Sequence, residues 1–431
     1  MKTSQSYTES GHNSLAQIIV NKLDQPEALE NLFQSNSSAF REAFYLVFPG
    51  VSDNIVAKVW NERLRHQSFT KPWMTKSELL ALTIMVTLAG VLARIPVFLN
   101  LNEDWFYQRN ISFIIIPMII GFFIWKNKTS VTRAIFPSAI IMASSVLINL
   151  LPENTNSDIL LLTSLHLPLF LWFWAGFAFS GNSWRETATR MQFIRFNGDW
   201  VVMTTILGIT VGLITTISVG LFDLIEISLE GFLQDYAGYW IVPAVPLLAA
   251  VLVVSPQNMV SRIAPIVARI ITPLVIVILS AYLAAMMLSG RSPFTDREFL
   301  IIFNIVLIGV MALISFSFIG SVSHGLSASH KTQLVALSLL ALVVNAVALS
   351  AISFRIAEWG MTPNRLAVLG SNILIMAHLI IVTTFLLKSL KSSGGDEKIS
   401  NSIVTFLPVY MIWTAVVTFL FPLFSALAPH F

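Results

Sequence analysis

Apolar and polar residues alternate in long blocks along the chain from about residue 76 to its end. An apolar run of about 18 or more residues is long enough to cross the hydrocarbon core of a bilayer as one helix. Eleven runs approach or exceed this length, at residues 79–99, 111–125, 134–151, 159–179, 200–222, 237–254, 263–288, 299–321, 332–354, 366–387 and 403–427. The pattern therefore predicts an all-α fold, a polytopic helical membrane protein with about eleven transmembrane helices.

The first 75 residues follow a different pattern, with apolar residues at helical spacing but no run long enough to span a bilayer. Phe40, Phe44 and Phe48 form one such stripe, and Pro26 and Pro49 punctuate the segment. Residues 1–12 are polar and are predicted to be disordered. We therefore expect two domains: a cytoplasmic N-terminal helical module with a disordered start over residues 1–75, and a helical transmembrane domain over residues 76–431.

Helix starts are marked by three capping boxes, in which a Ser or Thr and a Glu three residues later satisfy each other's free backbone amide groups. The three pairs are Thr75–Glu78, Ser183–Glu186 and Thr295–Glu298. The first and third are predicted to open the first and eighth spans. The second is predicted to open a short basic helix that ends near Arg195 and lies in the membrane interface. An acidic helix over residues 223–236 is expected between the fifth and sixth spans.

The composition supports the membrane assignment and excludes several kinds of chemistry. Charged residues make up 11% of the chain, whereas a soluble domain has about 25%. There are no cysteines, which excludes disulfides, thiolate catalysis and cysteine metal sites. His-Glu-x-x-His, Gly-x-Ser-x-Gly and phosphate-binding-loop motifs are absent from the sequence. We therefore predict no metal site, no cofactor and no catalytic residue, and we expect the lipid bilayer rather than nucleic acid as the partner.

Basic residues are distributed unequally between alternate loops, and this inequality predicts the orientation. With the N-terminus in the cytoplasm, eleven Lys and Arg residues fall in cytoplasmic loops, whereas the outside loops carry five Arg and no Lys. The cytoplasmic set is Lys126, Lys128, Arg133, Arg185, Arg190, Arg195, Arg262, Lys331, Lys388, Lys391 and Lys398, and the outside set is Arg109, Arg291, Arg297, Arg355 and Arg365. We therefore expect a multi-pass protein of the bacterial cytoplasmic (inner) membrane, with the N-terminus inside and the C-terminus outside.

The densest group of charged and turn-forming residues in the membrane domain lies between the ninth and tenth spans. It reads Arg355-Ile-Ala-Glu358-Trp359-Gly360-Met-Thr362-Pro363-Asn364-Arg365. Arg355 and Glu358 are three residues apart and share a helix face, and Gly360 and Pro363 break the helix. One reading is an interfacial loop in which these residues anchor two helix ends. The other reading is a pocket that faces a lipid headgroup or an anion.

This corner resembles a bacterial family of multi-pass membrane proteins, the domain of unknown function four-one-five-three, whose members carry a similar Arg-x-x-Glu-aromatic-Gly-x-Thr-Pro-x-Arg motif. The later segments 407–413 and 421–424 are similar to a helix near the C-terminus of that family, and the segments 30–41 and 60–64 are also similar to it. The resemblance is close in the C-terminal part of the chain and loose elsewhere. It implies a helical integral membrane protein and brings no activity with it.

Two arginines lie within predicted spans, Arg94 in the first and Arg269 in the seventh. An arginine at the bilayer centre costs about 2.5–3.5 kcal/mol, so such a residue lines a polar site or extends to the interface. Prolines at positions 265 and 273 favour a broken helix around Arg269, as at transporter binding sites. Together with Arg355, Glu358 and Arg365, these arginines are the predicted substrate-binding residues.

Two imidazoles lie inside predicted spans, His166 in the fourth and His378 in the tenth. Each is predicted to be a hydrogen-bonded packing residue, and membership of a proton relay is the less favoured alternative.

Three functions are compatible with these residues. The first is a transporter or flippase-like protein for an anionic solute or lipid headgroup, which arginine binds through planar, always-charged donors. The second is a membrane-embedded sensor or assembly partner that binds a protein through the helical module at residues 13–67. The third, an intramembrane enzyme that acts on lipids, is the weakest, because the sequence pairs no nucleophile with a base.

Overall fold

The computed structural model describes residues 15–35, 37–66, 74–152, 158–223, 228–254, 263–288, 294, 297–319, 326–390 and 396–427. These residues form helices joined by turns, and none of them is in a strand. The chain divides into two compact units, Met1–Met74 and Thr75–Phe431. The fold is therefore all-α, as the sequence predicts.

The first unit contains helices α1 (15–21), α2 (Pro26–Ser35), α3 (Ser37–Val47) and α4 (Ile55–His66). Their apolar faces enclose a core in which the rings of Phe33, Phe40 and Trp60 lie 5.0–5.6 Å apart. The guanidinium of Arg63 covers the Trp60 ring at 4.5 Å and donates hydrogen bonds to both carboxylate oxygens of Glu30. Aromatic packing and an ion pair thus hold α4 against α2.

The second unit is a bundle of mainly apolar helices. They are α5 (Lys76–Ala93), α6 (Ile95–Leu99), α7 (Glu103–Lys126), α8 (Val131–Leu150), α9 (Ile159–Ser180), α10 (Thr187–Asp223), α11 (Glu230–Val254), α12 (Ile263–Leu288), α13 (Arg297–Ile319), α14 (Ala328–Trp359), α15 (Pro363–Ser389) and α16, which runs over Asp396–Ala415, a π turn at Val416–Leu420, and Phe421–Leu427. Ten helices of the described part are long and apolar enough to cross a membrane, and α12 adds an apolar segment at Ile271–Ala281. The protein is therefore a multi-pass membrane protein, and each predicted span coincides with a helix, the first with α5 and α6 together.

Side-chain caps set several helix ends. The predicted capping box opens α5, because the amide of Glu78 donates to Oγ1 of Thr75 at 3.2 Å and the amide of Thr75 donates to Oε2 of Glu78 at 2.8 Å. Asn102 caps α7 by accepting a hydrogen bond from the amide of Trp105 at 2.8 Å. This cap starts α7 at Glu103, well before the predicted start of the second span at residue 111.

The corner between α14 and α15 has the breaks that the sequence predicts. α14 ends at Trp359, and Gly360 follows with φ +77°, a left-handed conformation that glycine adopts without strain. Thr362 then caps α15 by accepting from the amide of Arg365 at 3.3 Å. Pro363 takes the first helical position, where its missing N–H leaves no hydrogen bond unmade.

Two predicted boundaries are wrong. Ser183 does not cap a helix but lies in a 3₁₀ turn, Gly181–Ser183, and α10 then runs unbroken for 37 residues. The predicted interfacial helix that ends near Arg195 is therefore the start of the fifth span, because no proline interrupts the segment. The acidic segment 223–236 is not a separate helix either, since its residues from Glu230 onward are the first turns of α11. Residues 224–227 lie outside the described residues, and so does Thr295, the first residue of the third predicted capping box.

Contacts between helix termini define two ends of the second unit. At the end that we call the Lys126 end, Nζ of Lys126 donates to Oε1 of Glu78 at 2.6 Å, which joins the end of α7 to the start of α5. At the opposite end, the Arg94 end, the hydroxyl of Tyr107 donates to the carbonyl of Ala93 at 2.8 Å, which joins the start of α7 to the end of α5.

The α14–α15 corner lies at the Arg94 end. Asn110 near the start of α7 exchanges amide hydrogen bonds with Asn149 at the end of α8, so α9 starts at this end. The start of α9, the start of α15 and the end of α16 share an apolar cluster formed by Ile159, Leu162, Ala367, Val417 and Phe421. The N-terminus of α15, and with it the corner, therefore belongs to the Arg94 end, and the start of α14 belongs to the Lys126 end.

Two tryptophans pack directly on glycines of a neighbouring helix. A Cβ atom built on Gly90 would lie 2.6 Å from Cε2 of Trp240, and one built on Gly370 would lie 2.8 Å from Cζ3 of Trp413. These side chains therefore rest on the backbones of α5 and α15, a close approach that small residues allow between membrane helices. The first of these contacts positions one wall of the site described next.

Candidate functional site

Arg94 occupies the break between α5 and α6. Its backbone leaves the helical region, with φ −90° and ψ 1°, and its amide still donates to the carbonyl of Gly90 at 3.0 Å. The break follows from Pro96, whose ring excludes the continuous helix that the apolar sequence would otherwise form. The half-buried Arg94 side chain therefore projects from a corner of the first span.

Four aromatic rings surround the Arg94 guanidinium, and we call this group the Arg94 aromatic site. The carbon of the guanidinium lies 4.5 Å from the ring centroid of Tyr236, 5.5 Å from Phe98, 5.9 Å from Tyr239 and 6.0 Å from Trp240. Three of these rings come from the start of α11. The electron-rich faces of such rings attract a cation by about 0.5–2 kcal/mol each.

The rings stabilise the Arg94 charge without accepting its hydrogen bonds. Among the described residues, no oxygen forms a hydrogen bond or ion pair with the side chain, and its Nε is buried without a partner. Glu103 and Asp235 lie within electrostatic range of the neighbouring Tyr239 but do not bond to Arg94. A guanidinium carries five N–H donors and stays protonated in proteins. The donors at the exposed part of Arg94 are therefore available to an oxyanion.

The corner arginines use their donors on the protein itself. Nη1 of Arg365 donates to the carbonyl oxygens of Trp359 at 2.7 Å and Gly360 at 2.6 Å, which caps the C-terminus of α14. Nε of Arg355 donates to the carbonyl of Phe294 at 3.2 Å. The ring of Trp359 lies 5.3 and 5.8 Å from the two guanidinium groups. These contacts anchor helix ends, which is the first of the two readings of the corner.

Glu358 and Arg269 lie at opposite ends of the second unit. The side chain of Glu358 is exposed at the corner. Arg269 is exposed on α12 and lies within electrostatic range of His330, which is in the first turn of α14 and thus at the Lys126 end. His330 and Arg355 are separated by about 37 Å along α14, at 1.5 Å per residue. The structure therefore brings Arg94 and the corner to one end of the unit and leaves Arg269 at the other.

The two intramembrane histidines have different environments. Nδ1 of His166 lies 2.8 Å from the carbonyl of Leu162 on its own helix, which is a local packing contact. Nδ1 of His378 lies 2.8 Å from the hydroxyl of Tyr410 on α16, and its ring stacks on Phe406 at 4.3 Å. His378 is 2% exposed, and its Nε2 has no hydrogen-bond partner among the described residues.

The sequence reasoning missed a buried arginine. Arg109, which was expected in an outside loop, lies inside α7 and is 1% exposed. Its Nη2 donates to the carbonyl of Leu151 at 3.2 Å, and its guanidinium covers the ring of Trp105 at 4.7 Å. Asn102 is the signal that would have found it, because an N-cap there starts the helix at Glu103, six residues before Arg109.

Uncharged polar residues of the core were also missed. Asn345 of α14 and Asn372 of α15 are fully buried, and Nδ2 of Asn345 donates to the carbonyl of Asn372 at 3.1 Å. Asp199, which immediately precedes the predicted fifth span, is 1% exposed inside α10. The two asparagines are neutral and so give no charge signal in an apolar run. Asp199 precedes the predicted fifth span, 200–222, whereas α10 already starts at Thr187.

Comparison of the chain with protein-family models, with curated proteins and with solved structures finds no match. The resemblance to the family of multi-pass membrane proteins therefore stays a prediction. No group of three or more His, Asp or Glu side chains arranged to hold a metal ion occurs in the described part of the chain. What the geometry provides is an integral membrane protein with a ring-enclosed arginine at one end of its helical bundle and a buried histidine–tyrosine pair between α15 and α16.

Proposed function

We propose that this integral membrane protein binds an anionic solute or the anionic headgroup of a lipid at Arg94 and moves it across the membrane. The observation that carries the proposal is the arrangement of the Arg94 aromatic site, where four rings hold a guanidinium and none of the described residues accepts its hydrogen bonds. Arg355 and Arg365 contribute positive charge at the same end, although their observed hydrogen bonds anchor helix termini.

Phosphate and carboxylate groups suit this site. They accept two parallel N–H bonds from one guanidinium, and each hydrogen bond to a charged group contributes about 1.5–3 kcal/mol. The aromatic walls exclude water from the faces of the guanidinium, which strengthens the attraction for an anion. A cation would be repelled by Arg94, and an apolar ligand would leave its donors unpaired.

The helices around Arg94 have the irregularities that transport sites use. α5 breaks at Arg94, and α11 contains a π turn at Leu233–Ala237 that includes Tyr236, followed by Pro243 and Pro246. Irregular segments of membrane helices expose backbone groups and concentrate at functional sites, because each has lost part of its regular hydrogen bonding. This supports movement of the ligand rather than static binding.

We propose the bacterial cytoplasmic membrane as the location, with the Lys126 end in the cytoplasm. Basic residues concentrate at that end, and the described ones include Lys126, Lys128, Arg133, Arg185, Arg190, Arg195, Lys331 and Lys388. Such an excess marks the cytoplasmic side of bacterial membrane proteins. The Arg94 aromatic site then opens toward the outside.

Two transport assays on the purified, reconstituted protein test this function. One measures uptake of inorganic phosphate into proteoliposomes, and the other measures movement of fluorescent phosphatidylglycerol between leaflets. We expect one of the two activities, reduced about tenfold or more by Arg94→Gln, because one charge-assisted interaction is lost. Arg94→Lys keeps the charge and loses the planar fork, so we expect an intermediate rate.

Arg185→Gln is the matched control. Arg185 is also an arginine over a tryptophan ring, at 5.2 Å from Trp184, but its side chain is exposed. Arg185→Gln lowers the net charge of the protein by the same amount as Arg94→Gln, and we expect it to leave transport unchanged. Absence of both activities in the wild-type protein, or equal activity in the wild type and Arg94→Gln, would contradict the proposal.

A second function, binding of a protein partner through the first unit, is favoured by one observation. Ile55 and Val59 are 78% and 62% exposed, and their spacing of four residues places them on one face of α4. A contiguous exposed apolar surface is typical of a protein contact. Replacing Ile55 and Val59 by serine in the full chain tests this function. If this second function is correct, the Ile55→Ser, Val59→Ser double variant has a cellular phenotype. Its membrane insertion and the transport activity of the purified protein are unchanged.

A further inference from the structure

His378 and Tyr410 form a polar pair in the apolar interior of the second unit. His378 lies in the middle of α15, 15 residues from its start at Pro363 and 11 from its end at Ser389. At 1.5 Å per residue these separations are about 22 and 16 Å. The pair is therefore far from both ends of the bundle. At this depth no bulk water is present to form a hydrogen bond with the second imidazole nitrogen.

The geometry leaves Nε2 of His378 as the reactive atom of the pair. Nδ1 lies 2.8 Å from the Tyr410 hydroxyl. When Nδ1 carries the proton, it donates to the Tyr410 oxygen, and Nε2 presents a lone pair. When Tyr410 donates instead, Nε2 carries an N–H group without an acceptor. In both tautomers the buried Nε2 lacks a partner among the described residues, so the site is completed only by a proton or a hydrogen-bonding ligand.

The surroundings favour transient rather than permanent charge on the imidazole. Phe406 lies parallel to the ring, with centroids 4.3 Å apart and an interplanar angle of 7°, and an aromatic face attracts an imidazolium. Burial opposes the same charge. Tyr410 is the titratable residue in contact with His378, and the charged residues of α15 lie near its ends, Arg365 and Lys388, about 15–20 Å away.

The neighbouring helices carry their own titratable groups away from this pair. On α14 they are His330 and Lys331 at one end and Arg355 and Glu358 at the other, and on α9 the one such group is His166. None of these, as far as the structure describes them, forms a contact with His378. Among the residues whose side chains the structure describes, no carboxylate therefore contacts the imidazole to keep it protonated.

α16 is locally weakened beside the pair. Pro408 lies between Phe406 and Tyr410 and supplies no N–H to the carbonyl four residues earlier. A π turn follows at Val416–Leu420. Both irregularities allow α16 to move relative to α15, and such movement would admit water to His378.

We propose that His378 is the proton-binding site of a proton-coupled anion transport cycle. This inference rests on the proposed function. With Nδ1–H donating to Tyr410, a proton binds the lone pair of Nε2 and forms the imidazolium, and Tyr410 stays neutral. The proton leaves from the same nitrogen when the opposite side becomes hydrated. When the protein carries this proton together with an anion bound at Arg94, the proton offsets one negative charge of the anion as both cross the membrane.

Proton flux into proteoliposomes loaded with a pH-sensitive dye, with inorganic phosphate on both sides and a pH gradient imposed, tests the proposal. We expect a protein-dependent flux that His378→Gln lowers by about a hundredfold or more, the lower end of the range for loss of a proton-transfer group. His166→Gln is the matched control, because His166 is also an intramembrane histidine but bonds to its own helix. Tyr410→Phe keeps the ring and removes the hydroxyl, and we expect it to shift the pH profile of the flux.

The outcomes separate this inference from the proposed function. Phosphate binding, followed by the change in intrinsic tryptophan fluorescence and lost in Arg94→Gln, reports on the anion site alone. If binding and transport persist while the flux is absent, or is equal in His378→Gln and the wild type, the proton site is refuted and the anion site stands. If His378→Gln fails to fold, an unchanged pH profile in Tyr410→Phe refutes the proposal.

Discussion

Replacing Gly90 by alanine tests the contact that positions Trp240 in the Arg94 aromatic site. The new Cβ would lie 2.6 Å from Cε2 of Trp240 and closer still to two other ring atoms. Carbon atoms in contact are normally about 3.5–4.0 Å apart, so the ring or α5 must move by about 1 Å. Overpacking of this kind costs about 1–3 kcal/mol, and the better helix propensity of alanine returns about 0.5–1 kcal/mol. We expect a net loss of about 0–2.5 kcal/mol, centred just above 1 kcal/mol.

Gly121→Ala is the control for this prediction. Gly121 lies inside α7, and a Cβ there meets no atom within 4 Å, so the substitution brings only the propensity gain. Thermal unfolding of both variants in the same detergent, followed by tryptophan fluorescence, measures the difference in midpoint. The effect of Gly90→Ala should shrink in a Trp240→Ala background, since the clash is then absent. If Gly90→Ala unfolds at or above the temperature of Gly121→Ala, the close packing of α5 and α11 is wrong.

Two further predictions concern ion pairs. Glu78→Ala removes the charge-assisted hydrogen bond from the partly buried Lys126, worth about 1.5–3 kcal/mol, and the capping box with Thr75, worth about 1 kcal/mol. Glu78→Gln, which keeps an acceptor for the Thr75 amide, should cost less in the same thermal assay. In the first unit the hydrogen bond from Arg63 lowers the pKa of Glu30 below its ordinary value of 4.5. This ion pair therefore stabilises α4 above that value, and its contribution is lost as the pH falls through the folded-state pKa. Hydrogen-exchange protection factors of α4 should decrease on acidification, and Arg63→Ala should remove most of that dependence; an unchanged dependence in this variant would refute the assignment.

The helices of the second unit were predictable because a bilayer leaves few alternatives. Backbone groups inside hydrocarbon must bond within their own segment, so a long apolar run is a helix almost regardless of its detailed sequence. Helix ends were less predictable, since they depend on single side chains. Thr75 caps as predicted, whereas Thr362 caps a helix where the sequence predicted only a break. Asn102 caps a helix that the apolar pattern starts later, and Ser183 does not cap the helix after it.

The site was predictable only in part. Arg94 is conspicuous in the sequence as a charge in an apolar run, but the rings of Tyr236, Tyr239 and Trp240 are about 140 residues away along the chain and reach it only because α11 packs on α5. The position of Arg269, by contrast, follows from the sequence once the direction of its helix is considered. Its span starts at the Lys126 end, and the residue is within two turns of that start, so helix direction alone separates it from the corner.

Three arginines at the Arg94 end show why a charge in a membrane protein is not by itself evidence of a ligand. Arg365 donates to two carbonyl oxygens at the end of α14, and Arg109 donates to the carbonyl of Leu151 and is closed off from the surroundings. In both cases the protein supplies the acceptors, so the charge stabilises the fold. Arg94 has the aromatic contacts of such an arginine but not the acceptors. Since an unpaired donor in a poorly hydrated site costs free energy, the fold keeps Arg94 at a cost that an oxyanion ligand would offset.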